Sequence, residues 1–231
     1  MSEQIRVGIT HGDINGVGYE ILLKTFADER MQELFTPIIY GSSKSASYHR
    51  KVLDYSPISF HFINHAEECS QRKINLLNCV KEEVRIELGS ATPEAGESAF
   101  IALDAAVRDL QAKKIDVLVT LPINKETIQN EQFRFPGHTE FLQDRFGGSD
   151  KALMIMASES LRIALATTHV PISEVPGKLS KELIVEKLTT LDFSLKRDFR
   201  IELPRIAVLG LNPHAGENGL LGDEELQIIA P

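Results

Sequence analysis

Short β-branched apolar runs alternate with longer segments of helical periodicity along most of this chain. Apolar runs of roughly four to eight residues bounded by turn residues are typical of strands, and apolar positions spaced three and four apart are typical of helices. The pattern predicts strands at 5–10, 37–41, 58–63, 76–80, 115–121, 152–157, 161–167 and 205–211. It predicts helices at 19–27, 95–113 and 180–195, one after a cap at Ser42 or Ser43, and one from Asp223 onward.

The order of these elements predicts an α/β fold with mixed, mostly parallel sheets flanked by helices. The run at 115–121 has the continuous apolar character of a fully buried strand. A Ser-Glu-Ser turn joins the runs at 152–157 and 161–167, which favours an antiparallel pair. The chain ends at Pro231 just as the last helix begins, so we expect a segment that is incomplete at its C-terminus.

Composition excludes several classes of protein. Of the 231 residues, 42% are hydrophobic and 25% are charged, which is ordinary for a folded domain. The net charge of −8 comes without any basic cluster, which disfavours nucleic-acid binding. Neither a signal peptide nor an apolar run long enough for a membrane span is present, and Cys69 and Cys79 match no zinc or redox motif. These features predict a cytoplasmic protein.

Two histidines follow predicted strands directly: His169 after 161–167, and His214 after 205–211. The carboxyl ends of buried strands are where α/β proteins bind ligands, so two imidazoles there could begin a metal site or form an acid–base pair. Two histidines do not complete a catalytic metal site, which usually has three protein ligands. A single histidine at a strand end is more often structural. His49, His61 and His65 have no recurring partner and are interpreted as surface or structural residues.

Two further segments follow predicted strands at the ligand-binding edge of the sheet: a glycine-rich segment at 12–20, and the segment 121–125, which ends in a lysine. The segment 12–20 reads G-x3-G-x-G, which matches neither a dinucleotide fingerprint nor a Walker motif. His11 and Asp13 are candidate site residues there, although Asp13 could equally be an Asx-turn or cap residue. Lys125, in Leu-Pro-Ile-Asn-Lys, could hold a phosphate or carboxylate, or could be a solvated lysine that begins the next helix.

The segment Phe-Pro-Gly-His-Thr-Glu-Phe at 135–141 is more specific. The Pro-Gly turn places His138 and Thr139 at the start of a helix, where side-chain donors and free N–H groups suit an anionic substrate. The alternative is that Thr139 is only an N-cap and His138 is exposed.

In their order and spacing, these motifs resemble the PdxA family, the 4-hydroxythreonine-4-phosphate dehydrogenases of pyridoxal 5'-phosphate (vitamin B6) biosynthesis. The resemblance rests on the segments at 9–21, 121–125, 135–141, 168–171 and 210–217. The first segment departs from the family pattern Gly-Asp-Pro-Ala-Gly-Ile-Gly-Pro-Glu. Here Ile14 and Asn15 replace Pro-Ala, and Tyr19 replaces the second proline, while Asp13 and Glu20 are retained.

The resemblance implies an isocitrate/isopropylmalate-dehydrogenase-like subunit of two lobes, 1–122 and 123–231, the second carrying the substrate and metal motifs. It implies a homodimer with active sites at the subunit interface. His138 and Thr139 would contact the phosphorylated substrate. His169 and His214 would be two of three histidine ligands of a divalent metal (zinc, magnesium, cobalt or manganese), the third lying beyond this chain.

The implied reaction oxidises 4-phosphooxy-L-threonine with NAD or NADP to 2-amino-3-oxo-4-(phosphooxy)butyrate, which loses CO₂ to give 3-amino-2-oxopropyl phosphate. Lys125 and Asp13 are candidates for the general base by placement only. A paralogous dehydrogenase of 4-phospho-threonate or phospho-erythronate would share every motif. Two alternatives come from other functional classes. One is a non-catalytic relative that binds a phosphorylated ligand, and the other is a metal hydrolase on a similar sheet.

Overall fold

The computed structural model describes residues 4–55, 57–80, 84–147 and 152–231 of the chain. The chain forms two compact units, Met1–Asp150 and Lys151–Pro231. Residues 123–147, which the sequence analysis places in the second lobe, pack within the first unit, where Phe133 and Phe141 contact Phe100. As a statement about the lobes of the family fold, the division after residue 122 stays a prediction.

The first unit is built on a parallel sheet of five strands in the order β3-β4-β2-β1-β5. The strands are β1 (Arg6–Thr10), β2 (Thr36–Gly41), β3 (Phe60–Ile63), β4 (Ile74–Asn78) and β5 (Val117–Thr120). All five lie within the predicted runs or overlap them by most of their length. The predicted α/β class with mainly parallel pairing is therefore confirmed for this unit.

Helices cover both faces of the sheet. They are α1 (Gly18–Phe26), α2 (Met31–Leu34), α3 (Ser43–Val52), α4 (Pro93–Gln111) and α5 (His138–Phe146), with a short 3₁₀ turn at Ala66–Glu68. The predicted cap is Ser42, whose hydroxyl accepts a hydrogen bond from the Ser45 amide. Thr92 caps α4 in the same way and Pro93 fills its first turn, where no amide partner is needed.

The central strand β2 contributes side chains to two hydrophobic clusters, one on each face of the sheet. All six of its residues are buried, and neighbouring side chains point to opposite faces. Ile39 packs with α1 and α3, in a cluster with Leu22 and Leu23. Ile38 packs on the other face with α4, beside Ala102 and Ala106.

The strand predicted at 115–121 forms β5, but it is not fully buried. It lies at the edge of the sheet, next to β1 only, and Val117 and Val119 are 46% and 42% exposed. Apolar composition alone does not distinguish a central strand from an edge strand whose outer face has no neighbour among the described residues. The prediction of full burial is wrong for this reason.

The second unit contains the predicted antiparallel pair, β6 (Ile155–Ala157) and β7 (Arg162–Ala164). Two further helices follow, α6 (Val175–Lys178) and α7 (Lys181–Arg197), with a 3₁₀ turn at Ile172–Glu174 before α6. Ser180 caps α7, because its side chain accepts a hydrogen bond from the Leu183 amide. Pro213–Gly219 forms a 3₁₀-like turn, and the predicted final helix is a π-helical segment, Glu225–Ile229.

The strand predicted at 205–211 is wrong. The described residues of the second unit pair only as β6 and β7, so this run has no ladder partner and forms no strand. Its apolar side chains instead line, with residues 161–167 and α7, a cavity of about 770 Å³. His214 therefore does not follow a strand end in this structure. No helix among the described residues is long and apolar enough to cross a membrane.

Candidate functional site

The loops after β1 and β5 meet at the carboxyl edge of the first unit's sheet. The Asp13 amide donates a hydrogen bond of 2.9 Å to the Pro122 carbonyl oxygen. Gly12 adopts φ +69°, and a Cβ at this position would collide with the same carbonyl. Glycine is required there both for the left-handed backbone and for the close approach of the two loops. The parallel sheet thus brings residues 11–18 and 121–127 together as the sequence predicts.

Asn15 holds the loop after β1 in place. It is 3% exposed, and its side-chain oxygen accepts a hydrogen bond from the Glu87 amide at 2.8 Å. Its side-chain nitrogen donates to the Ser90 carbonyl and to the Thr92 hydroxyl, both at 3.0 Å. A single residue of the glycine-rich segment therefore connects this loop to the segment that leads into α4.

Asp13 takes the turn role that the sequence left open. Its Oδ1 accepts a hydrogen bond from the Asn15 amide at 2.9 Å, and its carbonyl accepts one from the Gly16 amide. This is the geometry of an Asx-turn. It leaves Asp13 as a candidate base by placement alone.

His11 is interior rather than available to a ligand. Its ring stacks on Tyr19 at 5.5 Å between centroids, and Tyr19 stacks on His49 at 5.0 Å. His49 Nε2 lies 2.8 Å from the Ile14 carbonyl, so the stack also holds the loop. Burial lowers the pKa of His11 to about 4, and burial likewise lowers the pKa of His49. Both imidazoles are therefore neutral structural groups at neutral pH, as the sequence analysis suggested for His49.

Aromatic packing fixes the start of α5. Phe141 is fully buried, and its ring lies 5.2 Å from that of Phe133 and 6.2 Å from that of Phe100 in α4. Phe135 contacts the same ring at 5.6 Å from the other side of the Pro-Gly turn. Because Phe141 lies one turn beyond the helix start, this cluster sets the position of His138 and Thr139.

The structure brings Lys125 and His138 together. Cε of Lys125 lies 3.9 Å from the position of a Cβ on Gly137, the residue that precedes α5. Burial, and then the positive charge of Lys125, lower the pKa of His138. The imidazole is thus neutral at neutral pH and lies beside an exposed ammonium group.

This corner has the chemistry of an anion site. His138 Nε2 is buried and has no hydrogen-bond partner among the described residues, so the ring has a donor or acceptor to offer a ligand. The first amides of α5 carry the positive end of the helix dipole, and Lys125 adds a full charge. Glu140 lies in the same first turn, and its Oε2 lies 3.7 Å from the position of a Cβ on Gly137, so one carboxylate faces this corner beside Lys125. Thr139 is the second residue of α5 and does not cap it, because the N-cap is Gly137.

His169 and His214 belong to the second unit and share a backbone conformation. Both imidazoles are exposed, and both residues have positive φ, 55° and 54°. Imidazole suits divalent transition metals, so the donor type fits the implied metal. The described residues contain no group of three potential ligands, however, so they do not by themselves form a closed site. The assignment of the two histidines as ligands stays a prediction.

Sequence reasoning missed the contacts that support these residues. Asn212 donates hydrogen bonds to Glu224 and Glu225, and Glu225 is buried although it is an ionisable residue that follows two other acidic residues. Asn15 was interpreted only as part of a turn. In both cases the partners lie more than ten residues away in the chain, beyond the range of local patterns.

Comparison with known proteins agrees with the resemblance of the motifs. Residues 33–231 match the family described as "Pyridoxal phosphate biosynthetic protein PdxA". The chain is 53% identical over 228 residues to the 4-hydroxythreonine-4-phosphate dehydrogenase of Bacteroides thetaiotaomicron, covering 99% of this chain and 62% of the relative. It is 33% identical to a protein of Oceanobacillus iheyensis, provisionally named a D-threonate 4-phosphate dehydrogenase, covering 99% of this chain and 70% of that one.

Solved structures show the same fold. A 4-hydroxythreonine-4-phosphate dehydrogenase from Burkholderia phymatum superposes with a TM-score of 0.84 at 31% identity, covering 100% of this chain and 70% of that one. The enzyme from Klebsiella pneumoniae gives 0.85 at 28% identity, with 99% and 69% covered. The chain thus spans 62% to 70% of the length of these relatives. The family match over most of its length, the identity to curated members and the shared fold show that the chain belongs to the PdxA family of pyridoxal phosphate biosynthetic proteins.

Proposed function

We propose that this chain forms part of a dehydrogenase that oxidises 4-phosphooxy-L-threonine with NAD or NADP, yielding a β-keto acid that decarboxylates to 3-amino-2-oxopropyl phosphate. The observation that carries the proposal is the meeting of Lys125, His138 and Thr139 at the start of α5. Family membership supports it, because curated relatives bear the name of this activity.

The three residues have distinct roles in this proposal. Lys125 attracts the phosphate as a point charge, and the first amides of α5 offer hydrogen bonds to the phosphate oxygens. His138 is neutral, and its Nε2 has no partner among the residues that the structure describes, so it can form one hydrogen bond with the substrate and orient it. Thr139 contributes its hydroxyl. Because the aromatic cluster around Phe141 fixes the helix start, these groups are positioned before the substrate arrives.

The proposed reaction also needs a divalent metal and a nicotinamide cofactor. His169 and His214 would hold a divalent metal (zinc, magnesium, cobalt or manganese), which acts as a Lewis acid toward the substrate hydroxyl. Their imidazoles suit zinc better than magnesium or manganese, and a third ligand has to come from outside the described residues. A nicotinamide cofactor, when bound, would supply the acceptor for the hydride. We also propose a cytoplasmic homodimer with active sites at the subunit interface.

The test is NADH formation with 4-phosphooxy-L-threonine in the full chain and in three variants. Lys125→Met and His138→Ala should raise KM for the phosphorylated substrate at least about tenfold, since each removes a direct contact to a charged ligand. Lys73→Met is the matched control, because Lys73 is an exposed lysine of the same unit far from this corner in sequence. Equal kinetics for Lys125→Met and Lys73→Met would contradict the assignment of the phosphate site.

The metal assignment has its own measurement. His169→Ala and His214→Ala should abolish metal binding and reduce turnover by orders of magnitude, while circular dichroism shows a folded protein. Elemental analysis that finds the metal retained, together with normal turnover, would rule the two histidines out as ligands. Ligand binding without NADH formation in the unsubstituted protein would indicate a non-catalytic relative, and phosphate release without NAD would indicate a hydrolase.

A dehydrogenase of phosphorylated threonate is the second candidate, and the relative from Oceanobacillus iheyensis favours it. The two substrates differ at the carbon that carries an amine in one and a hydroxyl in the other, whereas the phosphate end is common to both. Comparing kcat/KM for NADH formation on the two substrates decides between them. A preference for the threonate of tenfold or more would replace the first assignment.

A further inference from the structure

The turn that carries His214 has an unusual backbone. Five consecutive residues, 214–218, have positive φ between 45° and 78°. Only one of them is glycine, and side-chain-bearing L-residues rarely adopt this region, least of all in succession. A run of this kind persists only when contacts outside the run impose it. The direction of the His214 imidazole therefore depends on whatever restrains the turn.

Asn212 connects this turn to a buried carboxylate. Its backbone amide donates to Glu225 Oε1 at 2.7 Å, and its side-chain nitrogen donates to Glu225 Oε2 at 2.9 Å. The side-chain nitrogen also donates to Glu224 Oε2 at 2.7 Å. Both oxygens of Glu225 are thus engaged by one residue, two positions before His214. Such paired, charge-assisted contacts define an orientation as well as a distance.

Glu225 also lies against the turn itself. A Cβ on Gly216 would come within 3.0 Å of Glu225 Oε2, so the carboxylate fills the space beside the middle of the left-handed run. Glu225 is 7% exposed, although it is the first residue of a short π-helical segment. The turn closes on its far side through the Leu221 amide, which donates to the Gly216 carbonyl at 3.0 Å. Glu225 is therefore placed between the entry and the midpoint of the turn.

We propose that Glu225 is a positioning residue: acting through Asn212, it holds the left-handed turn so that the His214 imidazole points in a fixed direction toward a divalent metal. The inference rests on the proposed function, in which His214 is a metal ligand. A flexible turn would have to be ordered at each binding event, and this ordering would weaken the affinity for the metal. Residues that orient a ligand without touching the metal commonly change affinity or activity about 10- to 100-fold when removed.

The experiment compares Glu225→Ala and Glu225→Gln with Glu202→Gln, which removes an exposed carboxylate of the same unit. In the full chain freed of metal, amide hydrogen exchange should become at least about tenfold faster at Asn212, whose amide loses its acceptor in Glu225→Ala. Exchange should also become faster at Leu221, because its bond to the Gly216 carbonyl depends on the turn that Glu225 restrains. Competition with a chelator should show Zn²⁺ affinity reduced about 10- to 100-fold. Hydrogen exchange elsewhere in the second unit and the KM for the phosphorylated substrate should match those of the control.

A graded pair of variants tests the contact itself. Glu225→Gln keeps one side-chain oxygen that can accept from the Asn212 backbone amide, but it loses the charge of the contact. Asn212→Asp removes the side-chain donor and places a carboxylate opposite both Glu224 and Glu225. Zn²⁺ affinity should therefore fall further in Asn212→Asp than in Glu225→Gln, and Glu225→Gln should lie between Glu225→Ala and the unsubstituted chain.

Two results would overturn the inference. One is unchanged exchange at Asn212 and Leu221 with unchanged Zn²⁺ affinity in Glu225→Ala. The other is faster exchange throughout the second unit with a lowered Tm, which would make Glu225 a general structural residue. Failure of the proposed function looks different, since His214→Ala would then keep the Zn²⁺ affinity of the unsubstituted chain while the exchange at the turn still responds to Glu225→Ala.

Discussion

Replacing Asn15 with alanine should destabilise the first unit by an amount that follows from its contacts. The change removes one acceptor and two donor contacts, to Glu87, Ser90 and Thr92, at a site that is 3% exposed. A buried hydrogen bond contributes about 0.5–1.5 kcal/mol net, so the three together give a loss of about 3 kcal/mol in the free energy of unfolding. For a unit of this size, that corresponds to a fall in Tm of roughly 6–12 °C.

Urea denaturation followed by circular dichroism measures this loss, with Asn64→Ala as the matched control. Asn64 is exposed, so its replacement should change the free energy of unfolding by less than about 0.5 kcal/mol. A second variant, Asn15→Asp, keeps the acceptor for the Glu87 amide but removes both donors and buries a charge. It should therefore also destabilise the unit. Because Asp and Asn have nearly the same volume, this result would show that the lost hydrogen bonds, and not a lost volume, cause the destabilisation.

The reasoning fails if Asn15→Ala is as stable as Asn64→Ala. In that case water would replace the three contacts without cost, and the loop after β1 would not depend on this side chain. A loss of stability in Asn15→Ala but not in Asn15→Asp would instead mean that packing volume, rather than the donor contacts, is what the site requires.

Three further results are expected. Between pH 6.5 and about 4, the unfolded chain binds a proton at His11 that the folded protein excludes. The free energy of unfolding is therefore highest above pH 6.5 and decreases by about 3 kcal/mol as the pH falls to about 4. Urea denaturation across this pH range measures the decrease, and a constant free energy of unfolding would contradict a neutral, buried imidazole. Lys125→Met should raise the pKa of His138 in an NMR titration, whereas Lys73→Met should leave it unchanged. Equal pKa values of His138 in the two variants would show that Lys125 does not lie close enough to His138 to affect its protonation. Phe141→Ala should cost about 3–5 kcal/mol in unfolding free energy and weaken phosphate binding, and tight binding by a destabilised variant would show that the start of α5 is fixed by other contacts.

The strands of the first unit could be predicted because each is a local property of the chain. Alternating burial of Ile38 and Ile39 on opposite faces of β2 gives a continuous apolar run, and the turn residues around it set its ends. The same logic failed at 205–211. That run has the composition of a strand, but a strand needs a hydrogen-bonded neighbour, and none is present among the described residues of the second unit. The location of β5 was predicted correctly, but its burial was not, because the place of a strand within a sheet depends on segments that are distant in sequence.

The candidate site shows the same limit. Lys125, His138 and Thr139 were found because they follow a strand and begin a helix. The aromatic cluster around Phe141 then sets the start of α5 beside Lys125. Neither Asn15 nor Glu225 could be found in this way. Their partners lie 13 to 77 residues away along the chain, and an asparagine in a turn or a glutamate on a polar segment carries no local signal of burial.

The departures from the family pattern in the segment 12–20 concern how the loop is held. Ile14 and Tyr19 are fully buried, and Asn15 is 3% exposed, so none of the three side chains can reach a substrate at the surface of this unit. Where the family pattern has two prolines, which restrict the backbone directly, this chain has the Asn15 contacts and the stack of Tyr19 between His11 and His49. Both devices reduce the freedom of the same loop. The departures therefore carry no information about which phosphorylated acid the proposed dehydrogenase would oxidise, and any substrate preference has to be determined at the groups that would face the ligand.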